Sequence, residues 1–111
     1  MSVILPGATI GMLGGGQLGR MFTMEALSLG YKVVVLEPDP LSPAGAIASE
    51  HIQAAYDDEV ALKTMGERCD VVTTEFENIP AATLEYLTLF SSVHPNAGAV
   101  QVAQNRNREK T

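Results

Sequence analysis

The chain has 111 residues, 46% hydrophobic and 18% charged, a balance that excludes disorder and suits one folded domain. Thirteen acidic side chains against seven basic ones give a net charge of −6, which argues against nucleic acid or an anionic membrane surface as the main partner. An aromatic content of 5% without tryptophan leaves no stacking platform for bases, and a single cysteine excludes an internal disulfide or cysteine metal site and fits a reducing, cytoplasmic setting.

Met1 to Ala8 lacks the charged-then-apolar pattern of a signal peptide, and no apolar run is long enough to span a bilayer. Thr9 to Leu13 reads as a first strand whose continuous apolar character suits burial on both faces. Gly14, Gly16 and Gly19 then follow the G-x-G-x-x-G spacing, which allows a tight turn, close approach of a ligand to backbone, and close helix packing. Such a turn leaves backbone N–H groups at the positive end of a helix, ready for phosphate or another polar group; read without a ligand, it is a strand-to-helix turn. Helix one is expected over 17–29, with Leu18, Met21, Phe22, Ala26 and Leu29 inward, Met24 and Leu27 on another face, and Gly30 ending it.

Lys32 to Leu36 is a β-branched run halted by Pro38, and it completes a β-α-β unit with Glu37 at the strand end. In a dinucleotide fold that carboxylate accepts hydrogen bonds from ribose hydroxyls; otherwise it is a solvated strand end. Three prolines between Pro38 and Pro43 preclude regular structure, after which Ser42 and Pro43 open a short helix through Ser49. Ile52 to Ala55 is read as a third strand. Asp57 or Asp58 caps a helix to Arg68 with Ala61, Leu62 and Met65 inward, and Cys69 and the two histidines are read as structural or solvated, with no metal site.

Asp70 to Thr74 reads as strand four and delivers Glu75-Phe76-Glu77-Asn78-Ile79-Pro80 to the crevice at the carboxyl ends of the strands, beside the glycine loop. Its carboxylates and amide suit hydroxyls or an amine of a ligand, with Glu75 nearest the strand end; the plainer alternative is that Glu77 or Asn78 satisfies turn backbone. Pro80 opens a helix to Phe90 with Leu84, Leu87 and Phe90 inward, Ser92 to His94 forms a fifth strand, and Asn96 caps a last short helix. The predicted strand order is 3-2-1-4 with the fifth strand outside. By composition the tail from Gln104 is a solvated end.

The glycine loop Gly14 to Arg20, Leu36-Glu37-Pro38, the run Asp70 to Pro80, and Gln104-Asn105-Arg106 ahead of Glu109-Lys110 together resemble the N-terminal domain of the N5-carboxyaminoimidazole ribonucleotide synthetases. These are ATP-grasp enzymes of purine biosynthesis, also called the ATPase subunit of phosphoribosylaminoimidazole carboxylase. The resemblance covers almost the whole chain, and Glu75 to Pro80 is its most specific part. It implies an α/β fold, a Rossmann-like open parallel sheet (pre-ATP-grasp domain) with helices on both faces over 1–104, and at 105–111 the start of a connection to an ATP-grasp domain.

The implied reaction joins 5-aminoimidazole ribonucleotide to bicarbonate with ATP and Mg2+, through carboxyphosphate attacked by the exocyclic amine. By the same resemblance Gln17 and Leu18 contact the ribonucleotide, Glu75 hydrogen-bonds its amine or ribose, and Arg106 reaches toward ATP; Gly15 and Gly16 of the turn and Asn78 of the crevice segment complete the candidate substrate-binding set, and Glu37 has a weaker cofactor-binding claim. ATP and Mg2+ are held mainly by later domains, so these residues alone are expected to be a fragment without catalytic activity and with weak substrate binding. The full-length enzyme is expected to be a homodimer. The competing readings are an NAD(P)-binding domain of a dehydrogenase and a nucleotide-sensing regulatory module.

Overall fold

The protein is described by a computed structural model over residues 7–75 and 79–93. Nine elements alternate along it: β1 (Thr9–Leu13), α1 (Gln17–Ser28), β2 (Lys32–Leu36), α2 (Pro43–Ile47), β3 (Glu50–Ile52), α3 (Glu59–Arg68), β4 (Val71–Thr74), α4 (Ala81–Leu87) and β5 (Ser92–Val93). The strands form one parallel sheet in the order β3-β2-β1-β4-β5, the order expected from sequence. The three central strands are the apolar runs, buried along nearly their whole length, whereas β3 and β5 are short and partly exposed, as edge strands should be.

Side-chain alternation sorts the core into two layers. Ile10, Met12, Val33, Val35 and Val71 meet Phe22 and Ala26 of α1 and Ala44 of α2 on one face. On the other, Leu13, Val34, Leu36 and Val72 meet Leu62 and Met65 of α3 and Leu87 of α4. Full burial of one such aliphatic or aromatic side chain contributes about 1.5–3 kcal/mol. Cys69 lies in the second layer as a small buried hydrophobe, the role expected of it.

The inward face of α1 differs from the one its apolar pattern suggests. Leu18 and Met21 are 68% and 64% exposed, and the buried positions are Gly19, Phe22, Thr23 and Ala26. Hydropathy misleads here because two inward positions are not hydrophobes. Gly19 packs so close to the loop that a Cβ would stand 3.1 Å from the Gly14 carbonyl oxygen, and Thr23 satisfies its buried hydroxyl by donating to the Gly19 carbonyl at 2.7 Å. The helix ends where Gly30 adopts a φ of 94°, with Gly30 N–H donating to Leu27 and Tyr31 N–H to Ala26, a Schellman motif. The third strand starts at Glu50 rather than Ile52, because the register pairs Glu50 to Ile52 with Val34 to Leu36. The fourth helix is shorter than its apolar pattern, with Pro80 before rather than inside its first turn and Phe90 beyond its end. His94, Asn96 and the tail lie outside the described residues.

Among the described residues one buried side-chain polar atom has no hydrogen-bond partner, the Thr73 hydroxyl in central strand β4. Thr73→Val keeps the shape and removes the desolvated hydroxyl, so it should raise stability by about 1 kcal/mol, read as a higher urea midpoint at unchanged slope. An unchanged or lower midpoint would mean that the hydroxyl is satisfied.

Candidate functional site

The carboxyl ends of β1, β2 and β4 converge on the glycine loop, the crevice where open parallel sheets bind ligands. Gly14 turns the chain out of β1 with φ of 101°, a conformation that disfavours any side chain, and its N–H completes the ladder on the Leu36 carbonyl at 3.0 Å. Gly15 and Gly16 follow, and α1 begins at Gln17 with Gly16 as N-cap. The helix brings neither a capping side chain nor an acidic residue to its own first turn. Its positive end is neutralised from elsewhere in the chain.

Glu75, one residue past β4, supplies the missing cap. Its Oε1 accepts from Gly16 N–H at 3.0 Å and its Oε2 from Gly19 N–H at 2.7 Å, across 59 and 56 residues of sequence. Glu37, one residue past β2, engages the other side of the loop: Oε1 accepts from Gly15 N–H at 3.0 Å and from the Tyr56 hydroxyl at 2.7 Å, and Oε2 from Asp39 N–H at 3.0 Å. Such charge-assisted bonds are roughly twice as strong as neutral ones.

The Gly15 peptide is held at its other end as well. Its carbonyl accepts from the Ser42 hydroxyl at 2.7 Å and from Ala44 N–H at 3.0 Å, while Ser42 caps α2 by accepting from Gly45 N–H at 2.9 Å. The loop therefore differs from the open cradle its spacing suggests. Three of its N–H groups already face carboxylates of the same chain, because a helix end buried without an anion is costly and Glu37 and Glu75 lie within reach. Gln17 and Leu18, at the first turn, are exposed, and among the described residues their N–H groups have no partner.

Tyr56 donates to Glu37 and is near enough to Glu75 to feel its charge. Burial, its hydrogen bond to Glu37 and the negative charges of Glu37 and Glu75 raise its pKa well above the ordinary phenol value, so its hydroxyl stays protonated and keeps donating. His51 Nε2 lies 3.0 Å from the Glu37 carbonyl, a structural contact beneath the same strand end. Tyr56 and Ser42 are the two site-supporting residues that motif reading does not find. A tyrosine in a loop and a serine before a helix carry no spacing signal, although Ser42 is legible as a cap.

Among the described residues no three His, Cys, Asp or Glu side chains are grouped to hold a metal ion. No helix among them is long and apolar enough to cross a membrane. A separate groove of about 380 Å3 lies between α3 and α4, lined by Asp58, Val60, Ala82 and Tyr86 among others, apart from the glycine loop. Asn78 and Arg106 lie outside the described residues.

The Cys69 thiol is pushed up to about 12, chiefly by burial and then by the charges of Asp70 and Glu50. An acid whose pKa is raised by folding contributes stability that is present below its unfolded value of 9.0 and lost as pH rises toward the folded value. Stability should therefore fall as pH rises from 9 toward about 12, with Tyr56, also raised by folding, adding to the loss above pH 10, and Cys69→Ala should flatten the lower part of that slope in urea titrations. An equal slope in both proteins would show that the thiol is not the group responsible.

The family model described as "Ribonucleotide synthetase preATP-grasp domain" matches residues 7–104. N5-carboxyaminoimidazole ribonucleotide synthase of Staphylococcus aureus (strain COL) is 50% identical over 104 residues, covering 94% of this chain and 28% of that protein. The same-named protein of Brucella melitensis is 45% identical over 105 residues, covering 95% and 29%. Among solved structures, the S. aureus N5-carboxyaminoimidazole synthetase complexed with ADP superposes with a TM-score of 0.81 at 48% identity, covering 91% of this chain and 27% of that one. The Aspergillus clavatus enzyme in complex with ADP and 5-aminoimidazole ribonucleotide superposes at 0.73 with 31% identity, covering 96% and 30%. The chain thus spans less than a third of the length of these relatives. They favour neither the dehydrogenase nor the nucleotide-sensor alternative. The dehydrogenase alternative also meets a physical obstacle, since a pyrophosphate at the loop would face the charges of Glu37 and Glu75. The chain belongs to the ribonucleotide synthetase preATP-grasp domain family.

Proposed function

We propose that this chain is the substrate-side N-terminal domain of an ATP-dependent N5-carboxyaminoimidazole ribonucleotide synthetase. The observation that carries the reading, beside family membership, is the Glu75 carboxylate drawn 59 residues back onto the glycine loop, next to the open N–H groups of Gln17 and Leu18. A carboxylate beside unpaired donors suits a ligand that brings both hydroxyl or amine donors and acceptor oxygens, as a ribonucleotide bearing an exocyclic amine does. In this reading Gly15 and Gly16, through their bonds to Glu37 and Glu75, hold the loop beside the ligand, Gln17, Leu18, Glu75 and Asn78 bind 5-aminoimidazole ribonucleotide, and Arg106 reaches toward ATP. Glu37 acts on the loop rather than on a cofactor.

The proposed reaction transfers the terminal phosphoryl group of ATP to bicarbonate. The amine nitrogen of the ribonucleotide then attacks the carboxyl carbon of carboxyphosphate, the new C–N bond replaces the C–O bond to phosphate, the amine gives up one proton to the departing phosphate or to solvent, and ADP and phosphate leave. Mg2+ would shield the phosphate charges during transfer. In this reading its site and most of the ATP site belong to later domains of the enzyme, a cytoplasmic homodimer, since this chain spans 28% of the length of its S. aureus relative.

The test is ADP release by the native gene product with 5-aminoimidazole ribonucleotide, bicarbonate and ATP-Mg2+, each omitted in turn, run beside the isolated 111 residues. Turnover that needs all three and is absent from the isolated domain is the expected result. Turnover indifferent to the ribonucleotide would overturn the reading.

A further inference from the structure

Two residues of the site, Glu37 and Tyr56, are engaged with groups of the same chain. Glu37 spends both carboxylate oxygens inside the protein, on Gly15 N–H, Asp39 N–H and the Tyr56 hydroxyl. Tyr56 sits four residues past β3, on the opposite side of β2 from the loop in sequence, yet its hydroxyl shares Glu37 Oε1 with Gly15. A glutamate has several staggered rotamers and loses them only when something fixes it. The Tyr56 ring is partly buried against the second core layer, and its backbone carbonyl accepts from the Thr83 hydroxyl at 2.8 Å, so the phenol is anchored to α4. A firm donor thus fixes the carboxylate, the carboxylate fixes Gly15, and Ser42 grips the other end of the Gly15 peptide. Gly16, whose N–H meets Glu75, follows directly.

We propose that Tyr56, acting through the Glu37 carboxylate, is a positioning residue that sets the glycine loop so that the Gln17 and Leu18 N–H groups and Glu75 present one ligand-binding geometry. Glu37 stands where a dinucleotide fold would place a ribose acceptor, and here it is turned inward to serve the loop. The linkage to the ribonucleotide rests on the proposed function. The linkage from Tyr56 to Gly15 stands on the geometry alone.

Tyr56→Phe keeps the ring and deletes one hydroxyl, and it should be read in two ways. In the 111-residue chain, NMR hydrogen exchange at Gly15 N–H should speed up about tenfold, with exchange at core strand amides unchanged. In the full-length synthetase, KM for 5-aminoimidazole ribonucleotide should rise about tenfold while kcat and KM for ATP stay within about twofold, the signature of lost ligand positioning. Glu37→Ala, which removes the acceptor that Gly15 N–H and the Tyr56 hydroxyl share, should give the same pattern. The double variant Glu37→Ala with Tyr56→Phe should be little worse than the worse single variant, since both act through one carboxylate.

Unchanged exchange at Gly15 overturns the proposal, whatever the kinetics do. So does faster exchange with an unchanged KM for the ribonucleotide, or a loss spread equally over kcat and both KM values, which marks general destabilisation. If wild-type enzyme does not use the ribonucleotide at all, the proposed function fails and takes the ligand half of this proposal with it. Wild-type activity with an unaffected Tyr56→Phe fails the proposal alone.

Discussion

Glu75→Gln is expected to lower the unfolding free energy by about 2–3 kcal/mol, although the side chain keeps its size. The native carboxylate accepts two N–H bonds at the start of α1, one to each oxygen. An amide can accept only one of them and must turn its NH2 group toward the other donor. The substitution also removes the negative charge from the positive end of a helix with no acidic residue in its first turn. Urea unfolding monitored by far-UV circular dichroism would measure the loss, and a change under 1 kcal/mol would show that the two bonds contribute little net stability. In the proposed synthetase the same variant should lose most ribonucleotide-dependent turnover at saturating ATP. Full turnover would remove Glu75 from the binding site while leaving its capping role intact.

Gly15→Ala is expected to be at least as damaging, by about 3 kcal/mol, and for a spatial reason. Gly15 is not in the left-handed region, so its backbone would accept alanine. The new Cβ would overlap the Ser42 hydroxyl and press within 3.1 Å of Glu37 Cβ and Cγ. Ser42 cannot retreat cheaply, because its hydroxyl serves both the Gly15 carbonyl and the start of α2. Moving Glu37 instead disturbs three hydrogen bonds. The check is non-additivity: adding Ser42→Ala to Gly15→Ala should cost less than the sum of the two single losses, since the overlap disappears with the hydroxyl. Strict additivity would place the strain elsewhere.

Much of this was legible in the residues. Thr9 to Leu13 and Lys32 to Leu36 are apolar runs with turn residues at both ends, and parallel central strands leave few other solutions. Glu75 beside the glycine loop follows from the topology, because β1 and β4 are neighbours and both end at the same edge. What the Glu75 carboxylate does there was not legible. Spacing predicts open N–H groups at a helix start but cannot say that a side chain 59 residues away fills them. The inward face of α1 departs from its apolar pattern for a related reason. Periodicity counts hydrophobes, whereas close approach to the Gly14 carbonyl and Glu75 selects Gly19, and Thr23 is buried with its hydroxyl on the Gly19 carbonyl, leaving Leu18 and Met21 in solvent. Tyr56 carried no signal because its partner, Glu37, lies one strand and one helix away.

The long sequence separation of the Glu75 contacts also governs when the site comes into being. The half of the domain up to β3 contains β1, α1 and β2, but it lacks both Tyr56, which holds Glu37, and Glu75, so the start of α1 is left uncapped. Capping waits for β4 to pair with β1, a non-local parallel pairing and so among the slower steps of folding. During synthesis the ribosome must therefore extrude the chain past residue 75 before the first helix is secured. A secured start of α1 therefore marks the docking of β4 on β1 rather than formation of the glycine motif.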